Sequence, residues 1–116
     1  MPWHRLEVYR KAYEAALEIH RLTLTFPSIE RYELASQLRR ATKSIAANLA
    51  EGMGKQSSNA EVRRFLNMAL GSCDETRVWL EFSKDLGYVE REWFEAFDRR
   101  YDEIGRMLRG IMKRYA

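Results

Sequence analysis

The side chains with the greatest chemical reach in this chain are few. It holds two histidines and one cysteine, His4, His20 and Cys73. That set cannot supply a Cys/His zinc site with four protein ligands. A di-iron bundle needs Glu-x-x-His on two helices, but the residues three before His4 and His20 are Met1 and Leu17. Cys73 falls on an apolar helical face, where a thiol serves as a small core residue rather than a nucleophile. The segment Gly54-Lys55-Gln56-Ser57-Ser58 has part of the make-up of a phosphate-binding loop, yet no strand precedes it and no Ser or Thr directly follows Lys55. Amides opening the next helix could still hold a lone phosphate. No metal, cofactor or catalytic set is expected, and the chain reads as a non-enzyme.

Binding chemistry is better represented. Arg39, Arg40, Lys43, Lys55, Arg63 and Arg64 form a basic set: Arg39 and Lys43 lie one helical turn apart, and Arg63 and Arg64 open a helix close to Lys55. The set reads either as a nucleic-acid-binding patch or as a solvated face balanced by Glu33, Glu51 and Glu61. A second cluster, Arg106, Arg109, Lys113 and Arg114, sits where cations complement the end of a helix dipole. Trp3, Trp79 and Trp93 could stack bases, although aromatics at helical spacing more often serve a core or an interface. Gln37, Arg40, Ser44, Asn48 and Glu51 recur at helical steps and line one polar stripe. That ridge either contacts a ligand or RNA, or clamps two helices together. Counting back from the following turn puts Arg40 near Ser72 and Glu75, and Asn48 near Glu61 and Val62. A buried Arg40–Glu75 pair would set register at little net gain in stability.

Four helices must position these residues. Tyr9, Ala12, Ala16, Ile19 and Thr23 predict a helix over Glu7–Thr25, stopped by Pro27. Ser28 is expected to cap a second helix over Ile29–Gly52, with Leu34, Leu38, Ala41, Ile45 and Leu49 inward and Gly52 or Gly54 ending it in the left-handed conformation. The capping box Ser58-x-x-Glu61 opens a third, running to Leu86 and ended by Gly87. Phe94, Phe97, Tyr101, Ile104, Leu108, Ile111 and Tyr115 predict a fourth from Glu90 to the end. Short connections imply an antiparallel up-down-up-down four-helix bundle, all-α, over a single domain 1–116. Tyr13, Met68, Trp79, Phe82, Trp93 and Met107 fall outside the core stripes, and such surplus apolar surface predicts a partner.

Composition agrees with that class. The chain has 116 residues, 46% hydrophobic and 32% charged, with six glycines and two prolines, too few for a loop-rich β fold. One cysteine rules out a disulfide within the chain, and a cytoplasmic location is expected. No apolar run approaches the ~20 residues that span a bilayer. A net charge of +3 permits an acidic partner without demanding one.

Helix two carries a more specific signal. Ser36-Gln37-Leu38-Arg39-Arg40-Ala41 followed by Ser44-Ile45-Ala46-Ala47-Asn48-Leu49-Ala50-Glu51-Gly52 resembles the signature of the four-helix bundle family also called the 23S rRNA intervening-sequence protein family. Leu22-Thr23, Phe26-Pro27, Ala69-x-Gly71-Ser72 with Glu75, and Leu86-Gly87-Tyr88 match in order along nearly the whole chain. The family often has a proline where this chain has Ala46, which implies a straighter second helix here. The resemblance implies a protomer similar to those that close into a homopentameric ring. Some members are encoded within insertions in 23S ribosomal RNA genes. A similar fold serves diversity-generating retroelements as an accessory protein that binds RNA and partners a reverse transcriptase. The expected function is therefore a homo-oligomeric, RNA-binding accessory protein. The alternative is an assembly or adaptor module without nucleic-acid affinity.

Overall fold

The backbone pattern sorts residues 3–116, those described by the computed structural model, into four long helices: α1 (Glu7–Thr23), α2 (Leu34–Met53), α3 (Asn59–Asp85) and α4 (Arg91–Met112). Short 3-10 turns occupy Trp3–Arg5, Ser28–Glu30 and Lys113–Tyr115, and no strand occurs among the described residues. Met1 and Pro2, which begin the expected domain 1–116, lie outside those residues.

The α1–α2 corner differs from the sequence expectation. Thr23 ends α1 by donating its hydroxyl to the His20 carbonyl at 2.7 Å. Ser28 does not cap α2; it begins a separate turn, and α2 starts at Leu34, whose amide donates to Glu30 Oε1 at 3.3 Å. The Glu30 carboxylate, reaching forward over the turn, does the capping, so the helix begins at Leu34, the first residue of its apolar stripe, and not at Ile29. Neither Gly52 nor Gly54 is left-handed: Gly54 has φ −80°, and Gly87 is the one described glycine with positive φ, at 82°.

Gly52 serves packing instead. A Cβ there would lie 3.0 Å from Phe65 Cβ, so the missing side chain sets how closely α2 approaches α3. At the far end of α3, Gly87 does the left-handed work. Its amide donates to Lys84 O at 2.9 Å and that of Tyr88 donates to Ser83 O at 2.8 Å, a Schellman closure that satisfies the last carbonyls. At the near end Ser58 Oγ accepts the Glu61 amide at 3.3 Å, while the Glu61 carboxylate turns to Arg64.

The inward stripes meet in one core, with Ile19 of α1, Leu38, Ile45 and Leu49 of α2, Leu66 and Leu80 of α3, and Ile104 and Leu108 of α4 essentially sealed from solvent. Side-chain contacts tie each helix to its neighbours. Lys11 meets Glu103 and Glu18 meets Arg100 between α1 and α4; Arg77 meets Asp98 between α3 and α4; Ser44 meets Ser72 between α2 and α3. Phe26 and Tyr88 pack ring to ring at 5.1 Å, and the Tyr88 hydroxyl donates to Glu30 Oε2 at 2.8 Å, so the two corners at that end are tied together.

Buried hydroxyls in this core are answered by carbonyls of the preceding turn: Thr42 by Arg39 O, Thr76 by Ser72 O and Ser83 by Trp79 O. Tyr101 is the exception. Its ring is fully buried and its hydroxyl has no hydrogen-bond partner among the described residues. Desolvation pushes its pKa well up, the Cys73 thiol adding to the shift. An unanswered buried hydroxyl costs free energy relative to none. Tyr101→Phe is therefore expected to stabilise the fold by about 1 kcal/mol, read as a higher urea midpoint with an unchanged slope.

Candidate nucleic-acid interface

The expected basic set does not form one patch. Arg39 is committed to the fold, since its guanidinium donates to Thr23 Oγ1 at 3.1 Å and to Arg31 O at 3.0 Å, pinning α2 to the α1–α2 corner. Arg40 and Lys43 are exposed and lie on opposite flanks of α2, Arg40 beside the α2/α3 groove and Lys43 beside the α1/α2 groove. Lys55 lies past the end of α2, whose last residue Met53 is about 15 Å along the helix from Lys43 at 1.5 Å per residue. Arg64 chelates Glu61 at 3.0 and 3.2 Å and covers the Phe65 ring at 4.5 Å. Arg63 reaches across to the Tyr115 carbonyl.

That last contact reorganises the basic surface. It holds the Lys113–Tyr115 turn against the start of α3, and the Tyr115 hydroxyl donates to Gln56 Oε1 at 3.2 Å in the α2–α3 turn. Lys55, Arg63 and Arg64 therefore share one end of the bundle with Lys113 and Arg114, the cluster that the sequence suggested only complemented a helix dipole. Lys55, Lys113 and Arg114 are exposed there. The acidic neighbours include Glu61, already bound to Arg64, the exposed Glu51, and the exposed Glu7, which lines a groove with Arg114. At the opposite end of the 45 Å long axis, the corners carry Glu30, Glu33, Asp85, Glu90 and Glu92 alongside Arg31 and Arg91. Charge is thus segregated along the molecule more strongly than a net +3 suggests.

The polar ridge is real as a place. Gln37, Arg40, Ser44, Ser72 and Glu75 line an α2/α3 groove of about 380 Å³. Ser44 Oγ accepts from Ser72 Oγ and from Asn48 Nδ2, both at 2.9 Å, so a hydroxyl–amide chain bridges the two helices. Asn48 also donates to Ser44 O at 2.9 Å, and no bond joins it to Glu61 among the described residues. The expected buried Arg40–Glu75 pair is not formed. Both side chains are exposed at the lip of the groove, and Glu75 accepts Trp79 Nε1 at 2.9 Å instead. Glu51 is exposed further along the stripe.

The Arg–carboxylate clamp that the sequence reading sought lies one seam away. Arg77 holds Asp98 with two bonds, at 2.8 and 3.0 Å, and Asp102 at 3.4 Å. The hydrogen bond to Asp98 is the main reason its guanidinium pKa is raised. The signal was available, because Arg77 and Asp98 are almost equidistant from Gly87 along the chain.

Between α1 and α2 runs an apolar groove of about 460 Å³. His20 and Lys43 lie at its rim; burial, and then the cations Lys43, Arg39 and Arg21, hold the His20 pKa below its ordinary value.

Cys73 is packed away, its thiol donating to the Tyr101 carbonyl at 3.1 Å. Burial, with the Asp74 carboxylate adding, pushes that thiol up to about 11. The unfolded thiol ionises near about 8.5. Below that value both states are protonated and the full stability is present. As pH rises towards about 11 the unfolded chain loses the proton that the folded chain keeps, so stability falls. The expected loss is on the order of 3 kcal/mol across that window, and Cys73→Ala removes this component from the pH profile of urea unfolding. Among the described residues no group of three or more His, Cys, Asp or Glu is placed to hold a metal ion, and no helix is long and apolar enough to cross a membrane.

A profile of the 23S rRNA-intervening sequence protein family matches residues 4–110. The chain is also similar to a solved crystal structure, a protein of unknown function from the S23 ribosomal protein family of Bacteroides thetaiotaomicron. Identity is 30%, the TM-score is 0.81, and the match covers 91% of this chain and 98% of that one. No curated protein matches the chain. Sequence profile and solved relative agree over nearly the full length, and the chain belongs to the 23S rRNA-intervening sequence protein family.

Proposed function

We propose that this chain is a non-enzymatic RNA-binding subunit. In this reading an antiparallel up-down-up-down protomer repeats in a homopentameric ring and serves as an accessory to a ribonucleoprotein or a reverse transcriptase. The observation that carries it is the basic end, where Lys55, Lys113 and Arg114 stand exposed beside Arg63 and Arg64. Phosphate oxygens are the natural partners of such a surface, and a ring sums several weak copies of it into avidity. Arg39, bound into the fold, drops out of the binding set, and Arg40 and Lys43 become secondary to it.

A second reading, an assembly or adaptor module without nucleic-acid affinity, is favoured by the apolar groove between α1 and α2 and by exposed Val78, Phe82 and Leu86 on α3. Titrating a fluorescent structured RNA with the chain at low ionic strength separates the two. Saturable binding is the expected result; no binding contradicts the RNA reading and leaves the adaptor reading standing.

A further inference from the structure

We propose that the α1/α2 groove of one copy receives the α3 ridge of Val78, Phe82 and Leu86 from the next, so that copies join head to tail. The inference rests on the self-association reading above and assigns the two surfaces that meet.

The groove is shaped for a helix ridge. Its floor is Ala16, Ala46 and Ala47, which leave the backbone approachable, and its walls include Tyr13 and Leu17, 50% and 39% exposed. The ridge is shaped for a groove: Val78, Phe82 and Leu86 follow one another at one-turn spacing on α3 and are 47%, 52% and 53% exposed. Either surface alone is more apolar than solvent favours on a small bundle.

Charge selects the pairing. Lys43 and His20 are the ionisable side chains other than tyrosine that line the groove, and no carboxylate does. The ridge is flanked by exposed Asp74, Glu75, Glu81 and Asp85. The nearest cations on α3 are already used, Arg77 by Asp98 and Asp102, Lys84 by the Phe94 ring and Asp85. Ridge against ridge would set these carboxylates against their own copies, and groove against groove would oppose two concave surfaces with Lys43 facing Lys43. Groove against ridge brings opposite charges together. Because the two surfaces are different parts of one chain, each contact leaves one groove and one ridge open, and growth stops only when a ring closes.

Light scattering on single-face variants tests this. Phe82→Glu disables the ridge and Ala47→Glu disables the groove, both at exposed helix positions. Helical circular dichroism and a cooperative melt verify folding; Val78→Glu and Leu17→Glu are the second pair. The parent chain is expected to be oligomeric and each variant monomeric. An equimolar mixture of the two variants is expected to give twice the monomer mass and nothing larger, because one intact groove and one intact ridge remain. A monomeric parent chain overturns the self-association reading itself. An oligomeric parent whose folded variants stay oligomeric overturns the assigned surfaces alone. Monomeric variants that do not pair on mixing overturn the head-to-tail arrangement.

Discussion

A chain carrying Lys55→Glu, Lys113→Glu and Arg114→Glu together binds structured RNA at least about 100-fold more weakly than the parent at low salt, with helicity retained and a cooperative melt lowered only modestly. All three side chains are exposed and none is in an ion pair among the described residues, so reversal falls mainly on binding, the loss to the fold being the dipole complement that Lys113 and Arg114 give the end of α4. Each lost phosphate contact is also expected to flatten the salt dependence by about one unit of slope. Arg40→Glu supplies the contrast. It lies in the α2/α3 groove, away from the basic end, and is expected to change affinity far less. Electrophoretic mobility or anisotropy titrations of the two variants against one RNA check the prediction. Equal losses would place the interface across both α2 and the basic end, as the set Arg39, Arg40, Lys43, Lys55, Arg63 and Arg64 suggested.

The largest stability effect is expected at Gly52. A Cβ there already stands 3.0 Å from Phe65 Cβ and 3.5 Å from the Val62 carbonyl, both anchored to the α3 backbone. Valine adds two methyl groups to that contact. The helices must part, which opens the Ser44–Ser72 hydrogen bond along the same seam. Gly52→Val is expected to cost about 3 kcal/mol, measured by urea unfolding. Gly71→Ala is the control on the neighbouring helix. Nothing lies within 4 Å of its added Cβ, and the gain in helix propensity is up to about 1 kcal/mol. If both substitutions cost the same, close approach is not what Gly52 provides.

The helices were legible because their apolar periods are long and their stops are explicit. Phe97, Tyr101, Ile104, Leu108 and Ile111 are buried as their spacing predicts, with Phe94 and Tyr115 half-buried at the ends of the stripe. The start of α2 was misplaced because Ser28 after Pro27 reads as its cap, whereas the cap is Glu30, a carboxylate one turn upstream of Leu34 that reaches forward over an intervening turn. Counting from a turn set Arg40 beside Ser72 and Glu75, yet it placed Asn48 against Val62, where the seam has Gly52, and it could not tell a lip from a core, so Arg40 and Glu75 were wrongly buried. Of the surplus apolar residues, Tyr13, Met68 and Phe82 are exposed while Trp79, Trp93 and Met107 pack partly on the core. The basic end was the least legible feature. It depends on a bond from Arg63 to a backbone carbonyl fifty-two residues away, which no local pattern encodes.

The central claim is that the basic end meets phosphate, and the salt dependence of RNA affinity tests it most directly. Titrating one structured RNA at a series of potassium chloride concentrations gives the slope of log affinity against log salt. A steep negative slope, about 0.7 to 0.9 for every phosphate neutralised, is the predicted result. Affinity that stays flat across the series, or that is absent at the lowest salt, would contradict it.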